Sequence, residues 1–178
     1  MKQIIKIILI FILITTYSNA KKIEPKFDLY TFKADFVQKI FKDDKEITYK
    51  GKLLAKKPSF LLWSYTYPVS KKIYIVQNEV IIDEPELEQA IVTKTESQMD
   101  FFAILEKAIK IDNNTYQTTI EHVDYTLKFD KNHLSSIIYE DAFANLVEIT
   151  FSHQQSDIKI PSEKFIFVSP DDYDMIYK

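Results

Sequence analysis

The chain has 178 residues, 46% of them hydrophobic and 28% charged, the balance of one folded domain and not of a disordered segment. Its formal charge is −3 and all 23 basic residues are lysine. The lack of arginine, with its planar fork for phosphates and base edges, and the acidic pI of about 5.7 both argue against nucleic acid as a partner. There is no cysteine and one glycine, which removes disulfides, a lipid-bearing N-terminal cysteine and every glycine-rich phosphate cradle or nucleophile elbow.

Lys2 and Lys6 flank the start of an apolar run, Ile7 to Ile14, and Ser18-Asn19-Ala20 follows with the small residues a signal peptidase reads. This pattern predicts a secretory signal peptide cleaved after about Ala20; the run is short for a spanning helix. The mature chain, residues 21–178, then reads as a single domain, with the formal charge moving from −3 to −5 as Lys2 and Lys6 leave. It has to hold together by its core alone. Lys21 to Tyr30 leaves room for one or two helical turns.

From there the pattern has a period of two. Phe32, Ala34, Phe36 and Gln38 alternate with Lys33, Asp35, Val37 and Lys39, which predicts a half-buried strand. After the Asp43-Asp44-Lys45 turn, Ile47, Tyr49, Gly51, Leu53 and Ala55 alternate with lysines and Thr48, with Leu54 the one exception. A glycine inside a strand marks a bulge or a close approach. The next strand, Pro58 to Pro68, contains the only tryptophan. Leu61, Trp63, Tyr65 and Tyr67 share one face, and Phe60, Leu62, Ser64 and Thr66 the other. Both faces are apolar near its start, so both are expected to be covered. By periodicity that pattern is first a central core strand; the sharper reading is that its Trp63 face lines a greasy cavity.

Lys72 to Gln77 and Glu79 to Asp83 read as a hairpin around Asn78, and Gln89 to Thr95 as a further strand. The period then changes. Ser97-Gln98-Met99-Asp100 has the form of a helix start, and Phe101, Phe102, Leu105, Ala108 and Ile109 recur at helical spacing, predicting an amphipathic helix to about Lys110. Asp112-Asn113-Asn114 ends it. Strands are expected again at Thr115 to Glu121, Asp124 to Phe129 (with Tyr125, Leu127 and Phe129 on one face), Leu134 to Tyr139, Leu146 to His153 and Lys164 to Val168. Short strands joined by tight turns make an antiparallel meander, and the one helix is left to cover its open side or mouth.

No residues with catalytic spacing emerge. His122, His133 and His153 match no metal-ligand pattern, and the carboxylate pairs Asp43-Asp44 and Asp171-Asp172 are neighbours on turns. The expectation is a binding protein with no catalytic residues, metal or cofactor. The aromatic shell and the greasy helix suit an apolar ligand.

The order of motifs resembles one family. Phe32-Lys33-Ala34-Asp35-Phe36-Val37-Gln38 resembles the F-x-A-x-F-x-Q start of the periplasmic outer-membrane lipoprotein carriers, LolA. Gly51-Lys52-Leu53 followed by Lys57-Pro58 and on through Trp63 to Pro68 is similar to that family's G-x-L…R-P-x-x-x-x-W-x-x-x-x-P signature. Asp83-Glu84-Pro85-Glu86-Leu87-Glu88-Gln89-Ala90 resembles its Y-D-P-x-L-E-Q-V turn, and Phe165 to Pro170 its F-x-F-x-x-P close.

The resemblance implies an unclosed antiparallel half-barrel, mainly β, with a helical lid over a hydrophobic concave face. It implies a soluble periplasmic monomer that takes lipoprotein acyl chains from an inner-membrane lipoprotein-releasing ABC transporter. Delivery would be to an outer-membrane lipoprotein receptor or to the outer membrane directly. A sensor or scaffold of the same fold, binding a protein partner instead of lipid, is the alternative. On the carrier reading Leu61, Trp63, Tyr65 and Phe36 form the cavity wall, and Phe101, Phe102 and Leu105 the lid. Two departures concern closure. The family's arginine before the proline is Lys57 here, a point charge without a planar fork, so a lid latch at Lys57 has to work differently. The family's first helix is also shortened.

Overall fold

The computed structural model describes residues 29–94 and 101–178. The expected signal peptide, nearly all of the stretch before Tyr30, and the Ser97 helix start lie outside these residues. The described chain folds into one open sheet of twelve strands, bearing out the half-barrel expectation.

Five hairpin-linked strands follow the first: β1 (Thr31–Lys42), β2 (Lys45–Lys56), β3 (Phe60–Tyr67), β4 (Lys71–Val76), β5 (Glu79–Glu84) and β6 (Gln89–Lys94). A short helix, α1 (Phe101–Glu106), crosses to a second meander of β7 (Ile109–Asp112), β8 (Thr115–Ile120), β9 (Val123–Asp130), β10 (His133–Glu140) and β11 (Leu146–Ser156). The two arms join where β1 pairs antiparallel with β11. The last strand, β12 (Asp174–Tyr177), adds to the outer edge of β6 and makes the one parallel pair. The sheet order is therefore β12-β6-β5-β4-β3-β2-β1-β11-β10-β9-β8-β7.

Alternation sets the inner face. On β1, Phe32, Ala34, Phe36 and Gln38 are all buried while Lys33 is exposed. The single glycine is required by a close approach. A Cβ on Gly51 would collide with the Ser64 carbonyl oxygen and lie 2.9 Å from the Phe36 ring. The β2–β3 register also slips there, since Lys50 faces Tyr67 and Gly51 faces Tyr65, which leaves Thr66 as a bulge. The turns go without glycine. Glu121-His122 and Lys131-Asn132 both sit at positive φ in two-residue hairpin loops, the conformation of type I′ turns. Both prolines that bound β3 follow cis peptide bonds, Lys57-Pro58 and Tyr67-Pro68.

Both faces of β3 are covered. Leu61 belongs to the large core of the concave face, and Leu62 to a second cluster on the opposite face with Tyr74, Ile160 and Phe165. The second cluster also explains Leu54, the exception in the β2 alternation, which packs there.

Two sequence expectations need correction. The helix was expected to run to Lys110; it ends at Glu106, and Ile109 and Lys110 belong to β7. Ala108 is still buried, but Ile109 and Ile111 are about half exposed. The apolar spacing of the helix ran on into a β-branched edge strand that hairpins through Asn113 onto β8. The strand expected at Lys164 to Val168 is not one. Ser162–Phe165 form a 3-10 turn, and Ile166 to Val168 pair with no strand. Phe165 and Phe167 do alternate with the exposed Ile166, but they plug into the face of the sheet instead of pairing along its edge.

Candidate functional site

The helix α1 lies against the concave face. Phe101, Phe102, Ile104 and Leu105 are all buried, and the Phe101 ring stands 5.1 Å from Phe32 and 6.5 Å from Phe151. Between α1 and the sheet is a cavity of about 90 Å³. Its walls come from β3 (Leu61, Trp63), α1 (Phe101, Ile104), β9 (Tyr125), β10 (Ile137, Tyr139) and β11 (Ile149). Strands β3 and β9 are five places apart in the sheet order. They can line one cavity only because the sheet curls.

The lining is hydrocarbon and aromatic face. Phe36 stacks edge-on against both Trp63 and Tyr65, with ring centroids 4.9 and 5.1 Å away. Tyr125 and Tyr139 face each other at 5.2 Å. Burial keeps the phenols neutral. It pushes Tyr139 up to about 12, with Tyr125 and Asp141 contributing, and holds Tyr65 still further above the ordinary tyrosine range.

A second hollow of about 190 Å³ continues along the same face toward the far end of β1. Gln38, Ile40, Tyr49, Tyr65, Lys71 and Ile73 are among its walls. Tyr65 donates a 3.0 Å hydrogen bond to the Gln38 Oε1.

Of the side chains singled out from sequence, Leu61, Trp63 and Phe101 line the first cavity, Tyr65 lines the second, and Phe36, Phe102 and Leu105 lie in the same core behind them. Sequence reasoning missed Ile104, Tyr125, Ile137, Tyr139 and Ile149. The signal was the inward phase of their own strands: Tyr125 is in phase with Leu127 and Phe129, both buried.

Lys57 sits at the entry to β3 and reaches α1. Its Nζ is 2.5 Å from Glu106 Oε1, 5.6 Å from the centre of the Phe102 ring and 5.3 Å from that of Tyr30.

An aromatic half-barrel roofed by one helix is what the sequence motifs led us to expect, and comparison with known proteins agrees. The family model described as outer membrane lipoprotein carrier protein LolA matches residues 28–168. The chain belongs to the LolA family. The outer-membrane lipoprotein carrier protein of Helicobacter pylori strain J99 is 37% identical over 178 residues, covering 97% of this chain and 96% of the relative. That of Wolinella succinogenes is 34% identical over 148 residues, 82% of this chain and 86% of the relative. The crystal structure of a LolA superfamily protein from Nitrosomonas europaea superposes with a TM-score of 0.50 at 12% identity, over 80% of this chain and 92% of that one. It supports the LolA fold from the structural side. The Trp63 strand and α1 thus fall inside the LolA match, on the two sides of the cavity.

Proposed function

We propose that the protein is a carrier of lipoprotein acyl chains, exported to the periplasm after cleavage near Ala20, with residues 21–178 as its one domain. It acts by binding and not by catalysis. It takes lipoproteins from an inner-membrane ABC transporter and passes them to an outer-membrane receptor or to that membrane directly. The observation that carries this reading is the apolar cavity between the Trp63 strand and α1, in a chain of the LolA family.

The energetics require such a protein. At ~0.8 kcal/mol per methylene, exposing one long acyl chain to water costs on the order of 10 kcal/mol. A carrier has to cover that surface and later give it up. At about 90 Å³, the cavity is far below the ~300–1,000 Å³ of ordinary ligand sites. Loading therefore requires α1 to lift, with Phe101, Phe102 and Leu105 giving up their places to the chains while Leu61, Trp63, Tyr65 and Phe36 stay as the wall. Lys57 then serves as the latch, through its ion pair with Glu106 instead of a guanidinium fork.

The test is release. Incubated with spheroplasts, the mature protein is expected to draw lipoproteins into the supernatant as soluble one-to-one complexes. Lipoproteins that stay in the membrane while a known carrier releases them would overturn the reading.

A further inference from the structure

On the concave face of β1, every buried or half-buried inward side chain is apolar except one. Phe32, Ala34 and Phe36 are followed in phase by Gln38 and then Ile40. Gln38 is 9% exposed, and it stands opposite Ile149 on one neighbouring strand and Tyr49 on the other. An amide at such a place needs partners for both its ends, from the protein or from whatever fills the hollow beside it. The protein supplies one. Tyr65 donates to Oε1, which turns the Nε2 donors the other way, and they meet no acceptor on any described residue. Beside it on β2, the Tyr49 hydroxyl is likewise without a hydrogen-bond partner among the described residues. Two unused donors thus border one hollow whose other walls include Ile40 and Ile73.

This hollow neighbours the apolar cavity, with the Phe36 ring between them. Trp63 lines the cavity and Tyr65 the hollow, and both rings rest on Phe36. Along the concave face the lining changes from hydrocarbon under α1 to hydrogen-bond donors beyond Phe36. A ligand that matches this sequence has alkyl tails that end in acceptors.

We infer that the hollow bordered by Gln38, Tyr49 and Tyr65 is a subsite for the ester carbonyls that join acyl chains to their glyceryl head, with Gln38 Nε2 and the Tyr49 hydroxyl as donors. The subsite rests on the carrier reading and adds to it. The cavity under α1 holds the tails; the hollow fixes how far they enter and selects acyl over alkyl chains. A purely greasy cavity has no such preference, because ester and ether lipids bury nearly the same hydrocarbon.

The experiment compares 1,2-dihexanoylglycerol with its ether analogue 1,2-di-O-hexylglycerol, which lacks both carbonyls, binding to the mature protein by calorimetry below their aggregation thresholds. The ester is expected to bind about tenfold more tightly. Gln38→Leu is expected to bring that ratio close to one while the ether binds as before, and Tyr49→Phe to lower it about threefold, with thermal melts confirming that both variants fold. Equal binding of the two lipids to the wild-type protein would overturn the subsite and leave the carrier reading standing. An ester preference that survives in both variants would also overturn it. If neither lipid binds and spheroplast release fails as well, the carrier reading falls and takes the subsite with it.

Discussion

The two faces of β3 are both apolar and both covered, but by covers of different kinds. On the outer face the cover is a long stretch after β11. The Thr31 hydroxyl donates to the Ile158 carbonyl at 2.8 Å, the Asp157 amide donates to Thr31 O at 3.0 Å, and Lys56 reaches both Ile160 O and the Ser162 hydroxyl. Phe165 is 1% exposed and packs on Phe60. On the concave face the cover is the short helix α1, seated by side-chain packing and the Lys57–Glu106 ion pair, over space it does not fill. Backbone stitching with a filled interface makes a fixed wall. A greasy helix over a partial void makes a cover that can leave, because removing it breaks few backbone hydrogen bonds.

The largest effect that tests this contrast is truncation of each cover. Phe165→Ala is expected to cost about 3–5 kcal/mol of global stability, the range for an emptied aromatic core site, read as a lowered denaturation midpoint. Leu105→Ala, at an equally buried position on α1, is expected to cost about 2 kcal/mol, the low end for its type, and to speed hydrogen exchange along 101–108. Equal global losses with no local change in exchange would mean that α1 is as fixed as the outer wall.

This asymmetry was only half legible in the sequence. Strands β1 and β2 follow from period-two alternation, because each hides one face locally and the alternation records it; β3 to β6 and β8 to β11 follow from short apolar runs between turn signals. The two-sided greasiness of Phe60 to Trp63 also announced two covers. What occupied each side did not follow. The Phe165-Ile166-Phe167 alternation has the pattern of a strand, yet those rings plug a sheet face from a non-strand segment. Strand β12 is four residues long and pairs parallel with distant β6, so nothing near it in the chain signals the pairing. The opposite wall of the cavity, Tyr125, Ile137, Tyr139 and Ile149, lay on strands correctly expected. Only the curl of the sheet brings it over Trp63, and curl is a sum of small twists that no single strand encodes.

Next in size is a charge placed in the cavity. Trp63 is half-buried and lines the void. Trp63→Glu is expected to abolish lipoprotein release from spheroplasts while the protein still unfolds cooperatively, since the new carboxyl can reach the void and protonate there. A chain that no longer folds would instead make Trp63 plain core, and the concave face no different from the outer one.

A smaller effect is expected from the buried phenols. Burial pushes Tyr139 up to about 12 in the folded state, against ~10 when unfolded. Below pH 10 both states hold the proton and stability is flat. From pH 10 to 12 only the unfolded state gives it up, so stability falls as pH rises. Melting temperatures are expected to drop by a few degrees over that window beyond what lysine titration contributes. Tyr139→Phe is expected to flatten the drop; an unchanged profile in that variant would show that the hydroxyl already meets water through an open cover.

The smallest effect bears most directly on how the cover is held. The Lys57 side chain is 21% exposed and that of Glu106 44%, so solvent screens the pair and its worth is below about 1 kcal/mol. Lys57→Ala and Glu106→Gln are therefore expected to leave the global denaturation midpoint nearly unchanged. Their effect is local. Opening α1 costs far less than unfolding the sheet, so a fraction of a kcal/mol is a large share of that smaller free energy, and amide exchange along 101–108 is expected to speed up a few-fold in both variants. Lys57→Arg retains the charge and supplies a fork, and is expected to slow exchange to the wild-type rate or below. Exchange in α1 that ignores all three substitutions would mean that packing alone holds the cover, and that the lysine at the entry to β3 is not a latch.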